Sequence, residues 1–409
     1  MKSRALARDG SARSALHGVQ ASAASVRICL VYDCLFPYTV GGAERWYRNL
    51  GERLAADGHE VTYLTLRQWD PGHDASYAGV RVRAVGPRMG LYAEAGRRRI
   101  LPPLVFGLGV LWHLLRHGSR YDVVHTASFP YFSLLAAAAL RPVRGFRLVV
   151  DWHEVWSRDY WREYLGPLRG RLGNAVQKAC LRVPQRAFCF SHLHARRLRE
   201  GGVRGEVSVL EGEYTGPLEV PDPVEADEVV VFAGRHIPEK RAPALVPALA
   251  EARKRIAGLR GAVYGDGPDR PEVLRARERH GLEDALEVPG FVEAQELERA
   301  LRSALCMVLP SRREGYGMVV IEAAAQGTPS VVVAGADNAA EELVSEGENG
   351  FVADSAAPAD LADVIVRVHA AGLPLRRATV DWFRRNGRRL SLEASLEAVL
   401  GAYADSARR

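Results

Sequence analysis

Ser311-Arg312-Arg313-Glu314-Gly315-Tyr316-Gly317-Met318-Val319-Val320-Ile321-Glu322 is the stretch around which the chain is organised. A strand-like run, Leu305-Cys306-Met307-Val308-Leu309-Pro310, leads into it, and a helix-compatible run from Val319 to Gln326 leads out. Gly315 and Gly317 sit at the turn, where a backbone without Cβ bends freely and a ligand comes close to main-chain N–H groups. The unpaired N–H groups that open a helix suit a phosphate or a sugar hydroxyl, so the amides of Gly315, Tyr316, Gly317, Met318 and Val319 are candidates to bind such a group. Glu314 and Glu322 are eight residues apart. With Glu314 on the loop and Glu322 about two turns into the helix, both carboxylates face a crevice above the carboxyl ends of the strands, where ligands bind in open α/β sheets. Carboxylates accept hydrogen bonds, so such a pair suits the vicinal hydroxyls of a sugar and a ribose.

The same strand–turn–helix grammar runs outward in both directions. Val26-Arg27-Ile28-Cys29-Leu30-Val31-Tyr32 reads as a buried first strand, followed by a loop containing Gly41-Gly42 and a helix through Leu54. Further strands are expected at 61–66, 80–85, 122–126, 147–152, 187–190 and 207–210, with helical runs between them, which predicts a parallel sheet covered on both faces. Residues 211–227 are acidic, proline-bearing and poor in apolar side chains, and read as a linker. A second α/β series follows, and the segment from about Pro374 to Tyr403 is helical and rich in arginine.

Bulk properties narrow the class. A chain of 409 residues accommodates two domains of roughly 150–200 residues. With 47% apolar and 25% charged residues it is neither disordered nor collagen-like. Five cysteines without metal-type pairing read as reduced thiols of a cytoplasmic protein. Residues 1–25 lack the apolar core of a signal peptide and read as a disordered leader. The run from Ile100 to Leu115 holds two prolines and a histidine, so it is expected to pack on the sheet, with interfacial membrane contact beside Arg97-Arg98-Arg99 as the lesser reading. The net charge of +6 is uneven: residues 1–210 carry 31 Lys and Arg against 16 Asp and Glu, whereas residues 211–409 carry 24 against 33. A basic front half fits an anionic membrane surface or acceptor, or a solvated arginine-rich face. No G-x-G-x-x-G follows the first strand, no G-x-x-x-x-G-K-[ST] loop is present, and no D-x-D or H-E-x-x-H pattern offers a metal site.

Read together, these segments resemble the retaining glycosyltransferases of family 4, whose Glu-x7-Glu motif matches Glu314, Gly315, Tyr316, Gly317 and Glu322. The resemblance spans nearly all of residues 26–375. It implies the GT-B fold, an α/β arrangement of two Rossmann-like domains facing across a cleft. The expected division is an acceptor-side domain over 26–210, a linker over 211–227, a nucleotide-sugar domain over 228–375 and a helical tail over 376–409 that returns to the first domain. Phe232-Ala233-Gly234-Arg235-His236-Ile237-Pro238-Glu239-Lys240 resembles the family's G-R-x4-K segment. Fixed cations there would stabilise the charge that develops on a departing diphosphate. The family's glycine after the lysine is replaced by Arg241, which puts the local turn in question. Tyr264-Gly265-Asp266-Gly267-Pro268 resembles its G-x-G-P turn, and Val288-Pro289-Gly290-Phe291-Val292 a loop that frames the nucleobase. Gly41 and Gly42 correspond to the turn that faces the donor diphosphate, and His153 to a histidine at the reaction centre, here followed by Glu154 where relatives often have aspartate. Trp152, Trp156, Trp161, Tyr160 and Tyr164 read either as an acceptor wall or as core.

The resemblance implies a retaining, metal-independent hexosyltransferase with no cofactor beyond its nucleoside diphosphate-sugar substrate. Arg235, Lys240, Glu314 and His153 would be catalytic, with the departing phosphate oxygen taking the acceptor's proton. Glu322 would hold the ribose. The acceptor would be a glycan, a lipid-linked intermediate or a natural product, and no nucleic-acid partner is expected. The reduced cysteines point to the cytoplasm, and peripheral contact with the inner membrane face stays one of two readings of the basic first half. The alternatives are a nucleotide-sugar 2-epimerase of the same fold and a non-catalytic sugar-nucleotide-binding protein.

Overall fold

The computed structural model describes residues 25–91 and 99–405. Residues 1–24 of the expected leader, Arg97 and Arg98 lie outside them.

Largely apolar runs buried on both faces, such as 28–31 and 123–127, mark the central strands of a parallel sheet with helical crossovers. In the first lobe β1 (Arg27–Val31), β2 (Glu60–Leu66), β3 (Arg81–Gly86), β4 (Val123–Ala127), β5 (Arg147–Trp152), β6 (Arg186–Cys189) and β7 (Val207–Val209) form one sheet in the order β3-β2-β1-β4-β5-β6-β7. The crossovers are α1 (Gly42–Ala56), α2 (Leu101–His117), α3 (Tyr131–Arg144), α4 (Arg158–Leu165), α5 (Pro167–Leu181) and α6 (His192–Glu200). Local chemistry sets their ends. The Ser157 and Ser191 hydroxyls accept from the N–H groups of Tyr160 and His194 at the starts of α4 and α6, and Gly145 closes α3 in the left-handed conformation.

The second lobe repeats the plan with β8 (Val229–Ala233), β9 (Arg260–Tyr264), β10 (Leu286–Gly290), β11 (Cys306–Leu309), β13 (Ser330–Val333) and β15 (Gly350–Ala353), ordered β10-β9-β8-β11-β13-β15. Its helices include α7 (Leu245–Ala252), α8 (Arg270–Arg279), α9 (Ala294–Ser303) and α10 (Met318–Ala325). A two-stranded ribbon of β12 (Arg313–Glu314) and β14 (Asp337–Asn338) sits above this sheet and was not legible from periodicity. The strand order reverses between β1 and β4 and again between β8 and β11, so each lobe has its crevice at the carboxyl ends of those strands.

Between β7 and β8 there is no strand among the described residues beyond a bridge from Tyr214 to Ser391. α11 (Pro358–Asn386) runs through residue 375 without a stop and breaks instead at Gly372, which has φ +51°. α12 (Leu392–Asp405) then lies on the first lobe. There the Tyr403 hydroxyl is 2.6 Å from His125 Nδ1, its carbonyl accepts from Arg147 at 2.6 Å, and Glu393 pairs with Arg53 on α1.

Candidate active site

The second lobe's half of the site is made by the loops after β8 and β11. Gly234 to Lys240 leaves β8 and is held against the turn that follows β9. The Gly234 N–H donates to the Tyr264 carbonyl at 3.2 Å and the His236 N–H to the Asp266 carbonyl at 2.8 Å. This packing needs glycine at 265: with φ +111°, a Cβ there would stand 2.0 Å from the Gly234 carbonyl oxygen. Gly267 stacks beneath His236 in the same way, while Asp266 turns its carboxylate back onto the Gly267 N–H at 2.7 Å.

Lys240 and Glu314 meet where the two loops converge. Lys240 Nζ donates to Oε1 and Oε2 of Glu314 at 2.5 and 2.7 Å, and the Ser311 hydroxyl donates to Oε1 at 2.7 Å. The sequence assigned these side chains to a diphosphate and a sugar, and the structure joins them as a bidentate pair with Glu314 only 5% exposed. Arg235 is exposed at the end of β8 and forms no ion pair among the described residues. Arg241 adopts φ +51°, so the turn keeps the shape that suits glycine and the arginine bears the strain.

Glu322 is the fifth residue of α10, little more than one turn in rather than two. It is half-buried; burial raises its carboxyl above the ordinary carboxylate range, and Arg45 on α1 of the opposite lobe partly offsets that. Gly317, at φ +108°, precedes Met318 and Val319, the half-buried first residues of α10. Tyr316 is buried, and its hydroxyl donates to the Glu211 carbonyl.

The first lobe's half begins at Gly41 and Gly42, which start α1 after β1. His153 stands at the end of β5, stacked on Phe190 with ring centroids 4.7 Å apart. Burial pushes its imidazole down to about 4, against a smaller upward pull from Asp151. Its Nε2 is buried without a hydrogen-bond partner among the described residues. Beneath it Asp151 lies 2.8 Å from His125 Nε2 and accepts from Trp46 at 2.7 Å. Burial, the largest single influence, would raise the Asp151 carboxyl, but His125, His153 and the Trp46 hydrogen bond together outweigh it and the pKa is lowered.

The lobes touch directly at the site. A Cβ on Gly315 would stand 2.8 Å from the His153 carbonyl oxygen, so only glycine lets the second lobe's loop approach so closely. Around this point lie contacts the sequence reading missed. Glu154 accepts from Trp156 at 2.8 Å and pairs across the cleft with Arg313, whose guanidinium lies 4.5 and 3.9 Å over the rings of Trp156 and Tyr160. Tyr160 donates to Glu239 at 3.0 Å. Glu342 accepts from the N–H groups of His192 and Leu193 at 2.7 and 2.6 Å, capping α6 from the other lobe. The one visible signal was the glutamate after His153, whose longer reach meets Arg313.

The aromatic cluster divides. Trp152, Tyr160 and Trp161 are buried, which settles Trp152 and Trp161 as core, whereas Trp156 and Tyr164 are half-buried.

With this geometry in view, the sequence profile described as Glycosyl transferase 4-like domain matches residues 41–211, and that of Glycosyl transferases group 1 matches residues 227–371. The chain belongs to the family 4 glycosyltransferases and has the GT-B fold. This glycosyltransferase is 29% identical over 140 residues to alpha-D-kanosaminyltransferase of Streptomyces kanamyceticus, covering 34% of the chain and 36% of that protein. It is 25% identical over 363 residues to glycogen synthase of Mycobacterium tuberculosis, covering 84% of the chain and 86% of that protein. The chain thus spans about a third of the first of these relatives. Among solved structures, sucrose-phosphate synthase from Thermosynechococcus elongatus superposes with a TM-score of 0.74 at 22% identity, covering 93% of this chain and 98% of that one.

Proposed function

We propose that the glycosyltransferase moves a hexose-type sugar from a nucleoside diphosphate donor, UDP- or GDP-linked, to a hydroxyl of a glycan, a lipid-linked intermediate or a natural product, with retention and without a metal ion. The supporting observation is the Lys240–Glu314 pair at the meeting of the two loops, beside Gly315, which packs against the His153 carbonyl of the opposite lobe. A fixed ammonium at the cleft stabilises a departing diphosphate, a large term in such catalysis. Arg235 adds a second, exposed cation, and Glu314, oriented by Ser311, meets the sugar hydroxyls. Glu322 takes the ribose. His153, uncharged, offers an unpaired ring nitrogen to a donor hydroxyl. The amides of Gly42 and of residues 315–319 receive phosphate or sugar oxygens.

The test is mass analysis of reactions containing UDP- and GDP-hexoses with and without candidate acceptors. Acceptor-dependent release of nucleoside diphosphate, with an α-linked product from an α-linked donor, is expected. A rearranged nucleotide-sugar formed without acceptor would establish the epimerase instead, and saturable binding without turnover the non-catalytic protein.

A second observation bears on location. Leu101, Leu104, Leu108, Trp112 and Leu115 recur at helical spacing on one side of α2, with Leu108 and Trp112 66% and 59% exposed. Arg116 lies over the Trp112 ring, and the surrounding half of the chain is strongly basic. Among the described residues no helix is long and apolar enough to cross a membrane. An apolar stripe rimmed by arginine suits the headgroup layer of an anionic bilayer, so we place the protein at the cytoplasmic membrane surface.

A further inference from the structure

Glu213 enters the cleft from the segment after β7, and neither motif nor spacing singled it out. Its side chain is 8% exposed. Its Oε2 lies 4.0 Å from where a Cβ on Gly42 would stand, against the first turn of α1. Among the described residues its carboxyl forms no hydrogen bond and no ion pair. α1 is a 15-residue helix whose N-cap, Gly41, has no side chain to cap it. The carboxyl is thus a buried, unpartnered polar group beside the first turn of α1, in the gap where the two lobes meet.

The groups around it are mostly acidic. Asp151 at the end of β5 adds its charge to the effect of burial, and together they push the Glu213 carboxyl up to about 8. Glu44 on the first turn of α1 turns its carboxylate towards Gly41. Tyr316 approaches from the second lobe. Arg389 and His192 are both engaged by Glu211 and leave no cation paired with Glu213. At neutral pH Glu213 therefore carries its proton, and a protonated carboxyl donates one hydrogen bond.

We propose that Glu213, in its uncharged acid form, donates a hydrogen bond to a phosphoryl oxygen of the donor diphosphate at the start of α1, and that its ionisation weakens donor binding. This rests on the nucleotide-sugar reading given above. The helix amides draw an anion to this turn, and a neutral acid is the form of a glutamate that tolerates a diphosphate alongside. An ionised Glu213 sets a third negative charge beside two.

The test is calorimetric titration of the full chain with UDP-glucose and with GDP-mannose at pH 7 and pH 9, for the wild type and for Glu213→Gln. The diester phosphates of these probes do not titrate in this range. If only the protonated protein binds, a group titrating at about 8 lowers the wild-type affinity about tenfold between the two pH values, whereas Glu213→Gln stays nearly flat. Buffers of different ionisation enthalpy give a measure that needs no variant: the wild type takes up close to one proton per donor bound at pH 9 and close to none at pH 7. Equal pH dependence in wild type and Glu213→Gln, or binding at pH 9 without proton uptake, overturns the assignment and leaves the nucleotide-sugar reading standing. Failure of both probes to bind wild type at either pH overturns that reading and this inference together.

Discussion

Replacing Lys240 by alanine separates two tasks that one ammonium performs. The first is structural: Lys240 Nζ neutralises a carboxylate that is 5% exposed through contacts of 2.5 and 2.7 Å. Removing one member of a buried pair costs roughly 3–5 kcal/mol, because the other charge is left without compensation. The Lys240 side chain is 22% exposed and Ser311 still donates to Glu314, which reduces the figure to about 2–3 kcal/mol. At about 2–4 °C per kcal/mol for a domain of this size, the thermal midpoint should fall by roughly 4–12 °C. The second task is chemical: losing a preorganised charge partner of a departing oxyanion costs roughly 10²–10³-fold in turnover. Differential scanning calorimetry and nucleotide-release assays, run well below the midpoint, report the two separately. The double variant Lys240→Ala/Glu314→Gln removes the stranded charge, so it should recover most of the midpoint while turnover stays low. Near-normal turnover of folded Lys240→Ala would refute the diphosphate role, and an unchanged midpoint would refute the account of the buried pair.

Other expectations follow from the same geometry. Arg241→Gly relieves a left-handed backbone and should stabilise the fold by about 1 kcal/mol, read as a higher urea midpoint; a lower midpoint would mean that the arginine side chain compensates for the strain. His153 is held down to about 4, so the unfolded chain takes up this proton first as pH falls. Its contribution to stability is complete above the ordinary histidine value and diminishes from there down towards pH 4, and its ring proton resonances should not move between about pH 5.5 and 8. A titration step near neutrality would contradict that burial. Wild-type protein should sediment with phosphatidylglycerol vesicles and not with phosphatidylcholine vesicles, and Leu108→Glu/Trp112→Glu should stay in the supernatant; equal sedimentation of the two proteins would remove α2 from the contact.

The parts of the fold that were legible are those in which one residue type does one job. Valine-rich runs such as 229–233 have no alternative to a strand buried on both faces, and turns such as 315–317 need glycine to bring backbones together. Lys240 and Glu314 were recognisable as site residues, but their pairing was not, because 74 residues separate them and spacing carries no information on such contacts. The contacts of Glu154, Arg313 and Glu342 went unread for the same reason: each acts across the cleft, and their partners are 159 and about 150 residues distant. The tryptophans near 156 were ambiguous because an indole serves equally as core and as wall, and only burial decides between them.

The return of α12 to the first lobe has a mechanical consequence. The chain passes between the lobes twice, once near Tyr214 and once near Leu390, and the passages are joined where Tyr214 N–H donates to the Leu390 carbonyl at 3.1 Å and Leu392 N–H to the Tyr214 carbonyl at 2.8 Å. A single strap would let one lobe swivel freely about it. Two straps bonded edge to edge resist torsion between the lobes, which holds the ammonium and the imidazole in one alignment across the cleft.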